Sequence, residues 1–161
     1  MASVYLGLGS NESPKANLRL AIRELEKRYG ELAISPIYRS AAIGFDGADF
    51  LNLVVCVQTE DTALAICAEI ELIHNLAGRV RGSDKWKSRP LDIDLLLYND
   101  LIDDDRPIRV PRDDILQYSF VLRPLAELAP DQVHPVTGRT MLEHWQEFDA
   151  SSHPLHETSV E

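Results

Sequence analysis

Residues 32–59 contain two strand-like segments with no helix between them, and this stretch constrains the fold most. The segments are 32–39 and 50–59, and the second is rich in β-branched side chains. Apolar residues recur at helical spacing on either side, over 15–29 and about 62–77. A strand pair flanked by helices is typical of α+β folds.

Two further strands are predicted, over 2–8 and 90–98, and they complete the order β-α-β-β-α-β. This order predicts a split βαβ, ferredoxin-like α+β fold with a mainly antiparallel sheet and helices packed on it. A doubly wound parallel sheet is the alternative, and it fits worse because it needs a helix between the middle strands. Beyond Asn99-Asp100 we expect a short edge strand, then one or two short helices over 112–128 and a last helix over about 140–148.

The chain has 161 residues, which predicts one domain over 1–148 and a polar, frayed C-terminal tail over 149–161. No apolar run is long enough for a transmembrane helix, and residues 1–9 do not resemble a signal peptide. We therefore expect a cytoplasmic protein that does not bind membranes. The net charge of −10, from 26 acidic and 16 basic residues, argues against nucleic-acid binding.

A basic cluster interrupts this acidic composition between Arg79 and Arg89. Its members are Arg79, Arg81, Lys85, Lys87 and Arg89, and only Asp84 offsets them. Such a cationic segment suits a small polyanion, for example a nucleotide. The segment shows no periodicity and is predicted to be a mobile loop, for which a solvated surface loop is the simpler alternative.

Two acidic residues alternate along the strand that follows this loop. Asp92 and Asp94 are two positions apart, so their side chains project from the same face, opposite Ile93. Paired carboxylates repel each other unless a cation lies between them, and oxygen ligands suit Mg²⁺ held together with phosphates. The alternative is a solvated edge strand. The run Leu95-Leu96-Leu97 argues against it, because it predicts a central, buried strand.

Aromatic and amide side chains form a third candidate group. Phe50 and Asn52 share a strand face, and Phe120 lies far downstream. A ring and an amide can hold a flat heterocycle by stacking and paired hydrogen bonds. From the residues alone, the interpretation that both phenylalanines are core residues is favoured.

Known nucleotide motifs do not account for these residues. The chain has no Walker A sequence, and Gly7-Leu8-Gly9 begins like a dinucleotide fingerprint but has Glu12 where the third glycine belongs. A cationic loop beside a carboxylate pair matches the requirements of phosphoryl transfer, which are positioning, metal and positive charge.

Several blocks occur in a fixed order along the chain. They are Gly9-Ser10-Asn11, Tyr38-Arg39-Ser40, Phe50-Leu51-Asn52, Gly78-Arg79-Val80-Arg81, Trp86, Arg89-Pro90-Leu91-Asp92-Ile93-Asp94 and Ser119-Phe120-Val121-Leu122-Arg123-Pro124-Leu125. In these blocks the sequence resembles the 6-hydroxymethyl-7,8-dihydropterin pyrophosphokinase family of folate biosynthesis, from Val4 to about Pro130. The resemblance implies a ferredoxin-like fold and transfer of pyrophosphate from ATP, the co-substrate, to the pterin hydroxymethyl group, with release of AMP.

The resemblance also implies roles for individual residues. Asp92 and Asp94 would bind two Mg²⁺ ions, and either could help to accept the hydroxyl proton. Arg79 and Arg89 would stabilise the phosphates. The implied pterin-binding residues are Ser40, Ala41, Ala42, Ile43, Phe50, Asn52, Trp86 and Phe120, with Trp86 also on the closing loop. The implied ATP-binding residues are Glu71, His74, Arg81, Lys85, Leu95, Arg112 and Tyr118.

Departures from the family pattern cluster on the nucleotide side. They are Lys87 for glycine, Ser88 for proline, His74 for glutamate, Arg112 for histidine and Tyr118 for arginine. We hypothesise that Arg112 and Lys87 restore the positive charge lost at Tyr118. The alternatives are a diverged paralogue that binds a pterin but transfers weakly or differently, and an unrelated ferredoxin-like protein with chance aspartate pairing.

Overall fold

The computed structural model describes residues 1–43, 47–78, 90–151 and 154–160. The strands are β1 (Ala2–Ser10), β2 (Ala33–Ile34), β3 (Ile37–Ser40), β4 (Phe50–Thr59), β5 (Asp92–Tyr98) and β6 (His156–Thr158). The helices are α1 (Pro14–Tyr29), α2 (Ala63–Leu76), α3 (Asp114–Gln117), α4 (Ser119–Leu128) and α5 (Met141–Glu147). None of the helices in these ranges is long and apolar enough to cross a membrane.

One sheet has the strand order β5-β1-β4-β3-β6, with β2 paired to β4. The β1–β4 and β1–β5 pairs are both antiparallel. Helix α1 connects β1 to the β2–β3 segment and α2 connects β4 to β5. This order confirms the predicted ferredoxin-like fold and excludes the parallel alternative.

Local chemistry sets the ends of the longer helices. Pro14 lies in the first turn of α1, and Gly30 ends this helix with a φ of 83°, in the left-handed region that favours glycine. The hydroxyl of Thr62 accepts a hydrogen bond from the Ala65 amide at 3.1 Å and caps α2. These signals place both helices within one residue of the predicted bounds.

The two faces of the sheet bury separate cores. One face packs on α1 and α2, through residues such as Leu25 and Ile66. The other packs on α3, α4 and α5, through residues such as Leu122 and Met141. Alternation along β5 directs Ile93 into the first core, while an irregular register between β1 and β5 lets both Leu96 and Leu97 join the second.

Four local predictions were wrong. The single strand over 32–39 is divided into β2 and β3 around Pro36, which has no amide proton to donate. The expected edge strand after Asn99-Asp100 is only an isolated bridge between Asp103 and Val110. The tail expected to be frayed contains β6, which pairs with β3.

The fourth correction concerns β5, which lies at an edge of the sheet rather than at its centre. Its leucines are buried because helices cover both faces. Its outer edge is also covered, since the Arg112 amide donates to the Leu96 carbonyl at 3.0 Å and His74 Nε2 accepts from the Ile93 amide at 2.9 Å. A run of apolar residues therefore predicts that a strand is buried, but it does not predict whether the strand lies at the centre or at an edge of the sheet.

Candidate functional site

A cavity of about 240 Å³ opens on the face of the sheet that packs on α3 and α4. Its lining comes from β1, β4 and β5, from the end of β3 and the residues after it, and from the start of α3 and α4. The lining residues are Gly7, Leu8, Gly9, Ser40, Ala41, Ile43, Phe50, Asn52, Leu53, Val54, Asp92, Asp94, Leu96, Asp114, Tyr118, Phe120 and Val121.

Asp92 and Asp94 form one wall of this cavity. Both are partly exposed, whereas Leu91, Ile93 and Leu95 are buried on the opposite face. The predicted shared face of the two carboxylates is thus confirmed, and they face a cavity instead of bulk solvent.

Asn52 and Ser40 form the opposite wall. The Asn52 amide nitrogen donates to the Ser40 hydroxyl at 3.0 Å, and both residues are buried. In this orientation of the amide, Oδ1 points towards Gly9 of β1. Asn52 and Ser40 therefore present a preset group of hydrogen-bonding atoms to the cavity.

Glycines of β1 form the floor between these walls. Gly9 pairs with Asp92 on one side and Asn52 on the other, and Gly7 pairs with Asp94 and Val54. A Cβ atom at Gly9 would lie 2.9 Å from Asn52 Oδ1, so this position needs glycine for space. Sequence analysis missed these two residues, and the Gly-x-Gly spacing was the available signal.

Aromatic side chains line the cavity at the start of α4. The rings of Tyr118 and Phe120 stack with centroids 5.0 Å apart and an angle of 17°. Phe50 and Phe120 are both partly exposed and line the cavity. Phe120 also packs against the second core, so the core interpretation favoured from the residues alone holds in part for Phe120 and is wrong for Phe50. Tyr118, predicted with the ATP-binding group, lies beside a predicted pterin-binding residue.

Arg112 lies close to the acidic wall. Its Nη2 is 3.3 Å from Asp94 Oδ1, and its Nε is 3.7 Å from Asp114 Oδ2. Burial and the Glu71 carboxylate raise the pKa of the Cys67 thiol, and Arg112 acts in the opposite direction. The Arg112 guanidinium therefore also acts on Cys67 of α2.

His74 holds β5 in position. The residue is 3% exposed, and its Nε2 accepts a hydrogen bond from the amide of Ile93, which lies between the two aspartates in the chain. Nδ1 lies 3.3 Å from Glu71 Oε1. Leu95 is also buried, on the face towards α2. In this conformation His74 and Leu95 support the strand that carries the carboxylates.

Replacing His74 with Ala is expected to lower the free energy of unfolding by about 1–3 kcal/mol, because the Ile93 amide would be left buried and unpaired. Urea unfolding measures this change. The matched control is Glu71→Gln, whose side chain is 60% exposed and should cost less than about 0.5 kcal/mol. Equal losses in the two variants would contradict a supporting role for the ring.

Other predicted site residues can be placed only in part. Ala41 and Ile43 line the cavity, and Ala42 lies between them in the chain without being part of the lining. Arg79, Arg81, Lys85, Trp86, Lys87, Ser88 and Arg89 lie outside the described residues.

The donor set at the acidic wall fits magnesium. Asp92 and Asp94 offer oxygen atoms alone, and Mg²⁺ is commonly held by one or two carboxylates together with substrate phosphates. Within the described ranges, no group of three or more His, Cys, Asp or Glu side chains forms a complete metal cage. The two carboxylates therefore suit a metal that arrives with a phosphate ligand.

Comparisons with known proteins agree on one family. The family model of 7,8-dihydro-6-hydroxymethylpterin-pyrophosphokinase (HPPK) matches residues 5–130. The 2-amino-4-hydroxy-6-hydroxymethyldihydropteridine pyrophosphokinase of Aquifex aeolicus is 34% identical, over 89% of this chain and 90% of that protein. The enzyme of the same name from Methylorubrum extorquens is 37% identical, over 94% of this chain and 96% of the relative.

Solved structures agree in fold. The crystal structure of Plasmodium falciparum HPPK-DHPS A437G with pteroate matches with a TM-score of 0.71 and 15% identity, over 91% of this chain. A structure of HPPK-DHPS in complex with substrates matches with a TM-score of 0.71 and 14% identity. The chain spans 43% and 44% of the lengths of these two proteins, so it corresponds to less than half of each.

Proposed function

The chain belongs to the 7,8-dihydro-6-hydroxymethylpterin-pyrophosphokinase family, and we propose that it transfers pyrophosphate from ATP to 6-hydroxymethyl-7,8-dihydropterin in folate biosynthesis. One observation carries this proposal most directly. The cavity joins a carboxylate wall that suits a metal–phosphate complex to an amide and aromatic wall that suits a flat heterocycle. The two walls lie on opposite sides of a glycine floor, so two substrates can meet there.

In the proposed reaction, the hydroxymethyl oxygen attacks the β-phosphorus of ATP. The bond between this phosphorus and the oxygen bridging to the α-phosphate breaks, and AMP leaves with that oxygen. The hydroxyl proton is released, and the Asp92 and Asp94 carboxylates are the candidate acceptors. Two Mg²⁺ ions held by these residues would neutralise phosphate charge as the transfer proceeds.

The pterin wall orients the acceptor. The fixed Asn52 amide and the Ser40 hydroxyl supply hydrogen bonds to the heterocycle edge, and the Tyr118–Phe120 stack offers an aromatic surface. Phe50 closes the same wall. Orientation of this kind contributes to rate by holding the hydroxyl group near the phosphorus.

We propose nucleotide-binding roles for a further set of residues. These assignments rest on the resemblance to the family alone. Arg79 and Arg89 are assigned to the phosphates, Arg81 and Lys85 to ATP, and Trp86 to closure over the pterin. Glu71, His74, Leu95, Arg112 and Tyr118 complete the proposed ATP-binding group. We further propose that the protein acts in the cytoplasm on these small molecules.

The comparisons favour this enzyme over a pterin-binding paralogue with weak activity, since the similarity covers the whole of the cavity-forming region. The sequence departures at His74 and Arg112 do not favour that alternative either. His74 supports β5, and Arg112 keeps a positive charge beside the carboxylates.

The test is incubation of the protein with ATP, Mg²⁺ and 6-hydroxymethyl-7,8-dihydropterin, followed by chromatography of the nucleotides. We expect AMP and the pterin diphosphate in equal amounts, and no AMP after EDTA is added. The matched control is 6-methyl-7,8-dihydropterin, which lacks the attacking hydroxyl and should give no AMP. Formation of ADP instead, or AMP that does not depend on the hydroxyl, would overturn the proposal.

A further inference from the structure

The ion pair between Arg112 and Asp94 puts a cation of the protein on one of the carboxylates proposed to bind magnesium. The two atoms are 3.3 Å apart, and the side chains are 24% and 28% exposed. A guanidinium group stays charged at all physiological pH values, so this positive charge is permanent. The Asp94 carboxylate is therefore already neutralised in part from within the chain.

The contacts of this guanidinium are loose. Nε is buried and has no hydrogen-bond partner among the described residues, and the nearest Asp114 oxygen, at 3.7 Å, is beyond hydrogen-bonding distance. Partly exposed ion pairs without ideal geometry contribute little to stability. Little free energy is thus lost when the side chain leaves Asp94.

The backbone of Arg112 is held firmly by comparison. Its amide donates to the Leu96 carbonyl at 3.0 Å, and its carbonyl accepts from the Ile115 amide at 3.2 Å. The chain at Arg112 therefore stays beside β5 while the side chain can change partner. The fork of its donors also matches phosphate oxygens, which makes a bound triphosphate a better partner than one carboxylate oxygen.

We propose that Arg112 exchanges partners when the site fills. In the metal-free protein it neutralises Asp94; a divalent cation that binds Asp94 displaces it, and it then binds the phosphates of the nucleotide. This inference rests on the proposed metal- and ATP-dependent function. Without nucleotide, Arg112 competes with the metal for Asp94. When metal and nucleotide are both bound, Arg112 contacts the nucleotide.

The experiment measures Mn²⁺ binding, as a paramagnetic substitute for Mg²⁺, to the protein without nucleotide. Arg112→Gln is expected to bind Mn²⁺ up to about fivefold more tightly than wild type, because the competing positive charge is gone. The same variant should bind a non-hydrolysable ATP analogue with Mg²⁺ about 10-fold more weakly. Arg112→Lys keeps the charge and should stay within about twofold of wild type for Mn²⁺.

The matched control is Arg106→Gln, which removes an exposed arginine from the same segment of the chain. Its Mn²⁺ affinity should equal that of wild type. Unchanged or weaker Mn²⁺ binding in Arg112→Gln would overturn the exchange, and so would equal tightening in Arg106→Gln, which would indicate a general charge effect.

A second measurement does not depend on the folding of Arg112→Gln. In wild-type protein labelled at its arginines, the Arg112 Nε–H resonance, assigned with Arg112→Lys, should shift on addition of Mg²⁺ alone. An unmoved resonance at saturating Mg²⁺ would overturn the exchange. Neither measurement requires turnover, so the two proposals can fail separately. If AMP forms but the Mn²⁺ affinity and the Arg112 resonance do not change, only the exchange is contradicted. If both change but no AMP forms, only the proposed function is contradicted.

Discussion

Replacing Asp94 with Asn is expected to lower the rate of pterin-dependent AMP formation about 1000-fold, with Asp92→Asn giving a loss of the same order. The substitution keeps the shape of the side chain but removes a charge that the metal–phosphate complex needs. Loss of about 4 kcal/mol of transition-state stabilisation corresponds to this factor. Single-turnover assays with quenched samples and separation of AMP measure the change.

The control for this prediction is Asp100→Asn, an exposed carboxylate in the turn after the same strand. It should keep the wild-type rate. Raising the Mg²⁺ concentration should recover part of the activity of Asp94→Asn if the lost step is metal binding. A rate within tenfold of wild type in both cavity variants would mean that the carboxylate wall does not hold the catalytic metal.

Replacing Gly9 with Ala is expected to raise the KM for the pterin about 10- to 100-fold while changing the KM for ATP little. The added methyl group would lie 2.9 Å from Asn52 Oδ1, so the amide must move away from the position that Ser40 fixes. Misplacing one buried hydrogen-bonding group costs about 1–3 kcal/mol, which gives the expected factor. Steady-state kinetics with each substrate varied in turn measure it.

A double-mutant cycle isolates the cause. In an Asn52→Ala background the clash is absent, so adding Gly9→Ala should raise the KM for the pterin no further. Gly7→Ala offers a graded comparison, since its methyl group would meet the tips of the flexible Leu96 side chain at 3.4 Å and should have a smaller effect. Additive effects of Gly9→Ala and Asn52→Ala would show that the glycine acts in another way.

Alternation and helical periodicity were enough to predict the architecture. The bounds of β4 were correct, and those of α1 and α2 were within one residue, because each is a long element with a clear apolar face. The predictions failed where a neighbour in space decides the structure. The tail pairs with β3 through β6, and β5 is buried at an edge by contacts from Arg112 and His74.

The candidate site was also predictable in part, where its features depend on spacing along the chain. Residue spacing identified Asp92 with Asp94 and Phe50 with Asn52, because the two-residue period of a strand places each pair on one face. It could not join these pairs into one cavity, since their distance depends on β1 lying between β4 and β5. Nor could it find the glycine floor, whose function depends on which side chains lie across from it.

The sequence by itself determined the order of helices and strands and the family, since both depend on patterns that are local in the chain. Only the tertiary structure decided that Arg112 pairs with Asp94, that His74 holds Ile93 and that Gly9 must leave room for Asn52. Each of these relations joins residues brought together by strand pairing or packing across the sheet. Their energies arise from distances of a few ångströms, and separation along the chain carries no information about them.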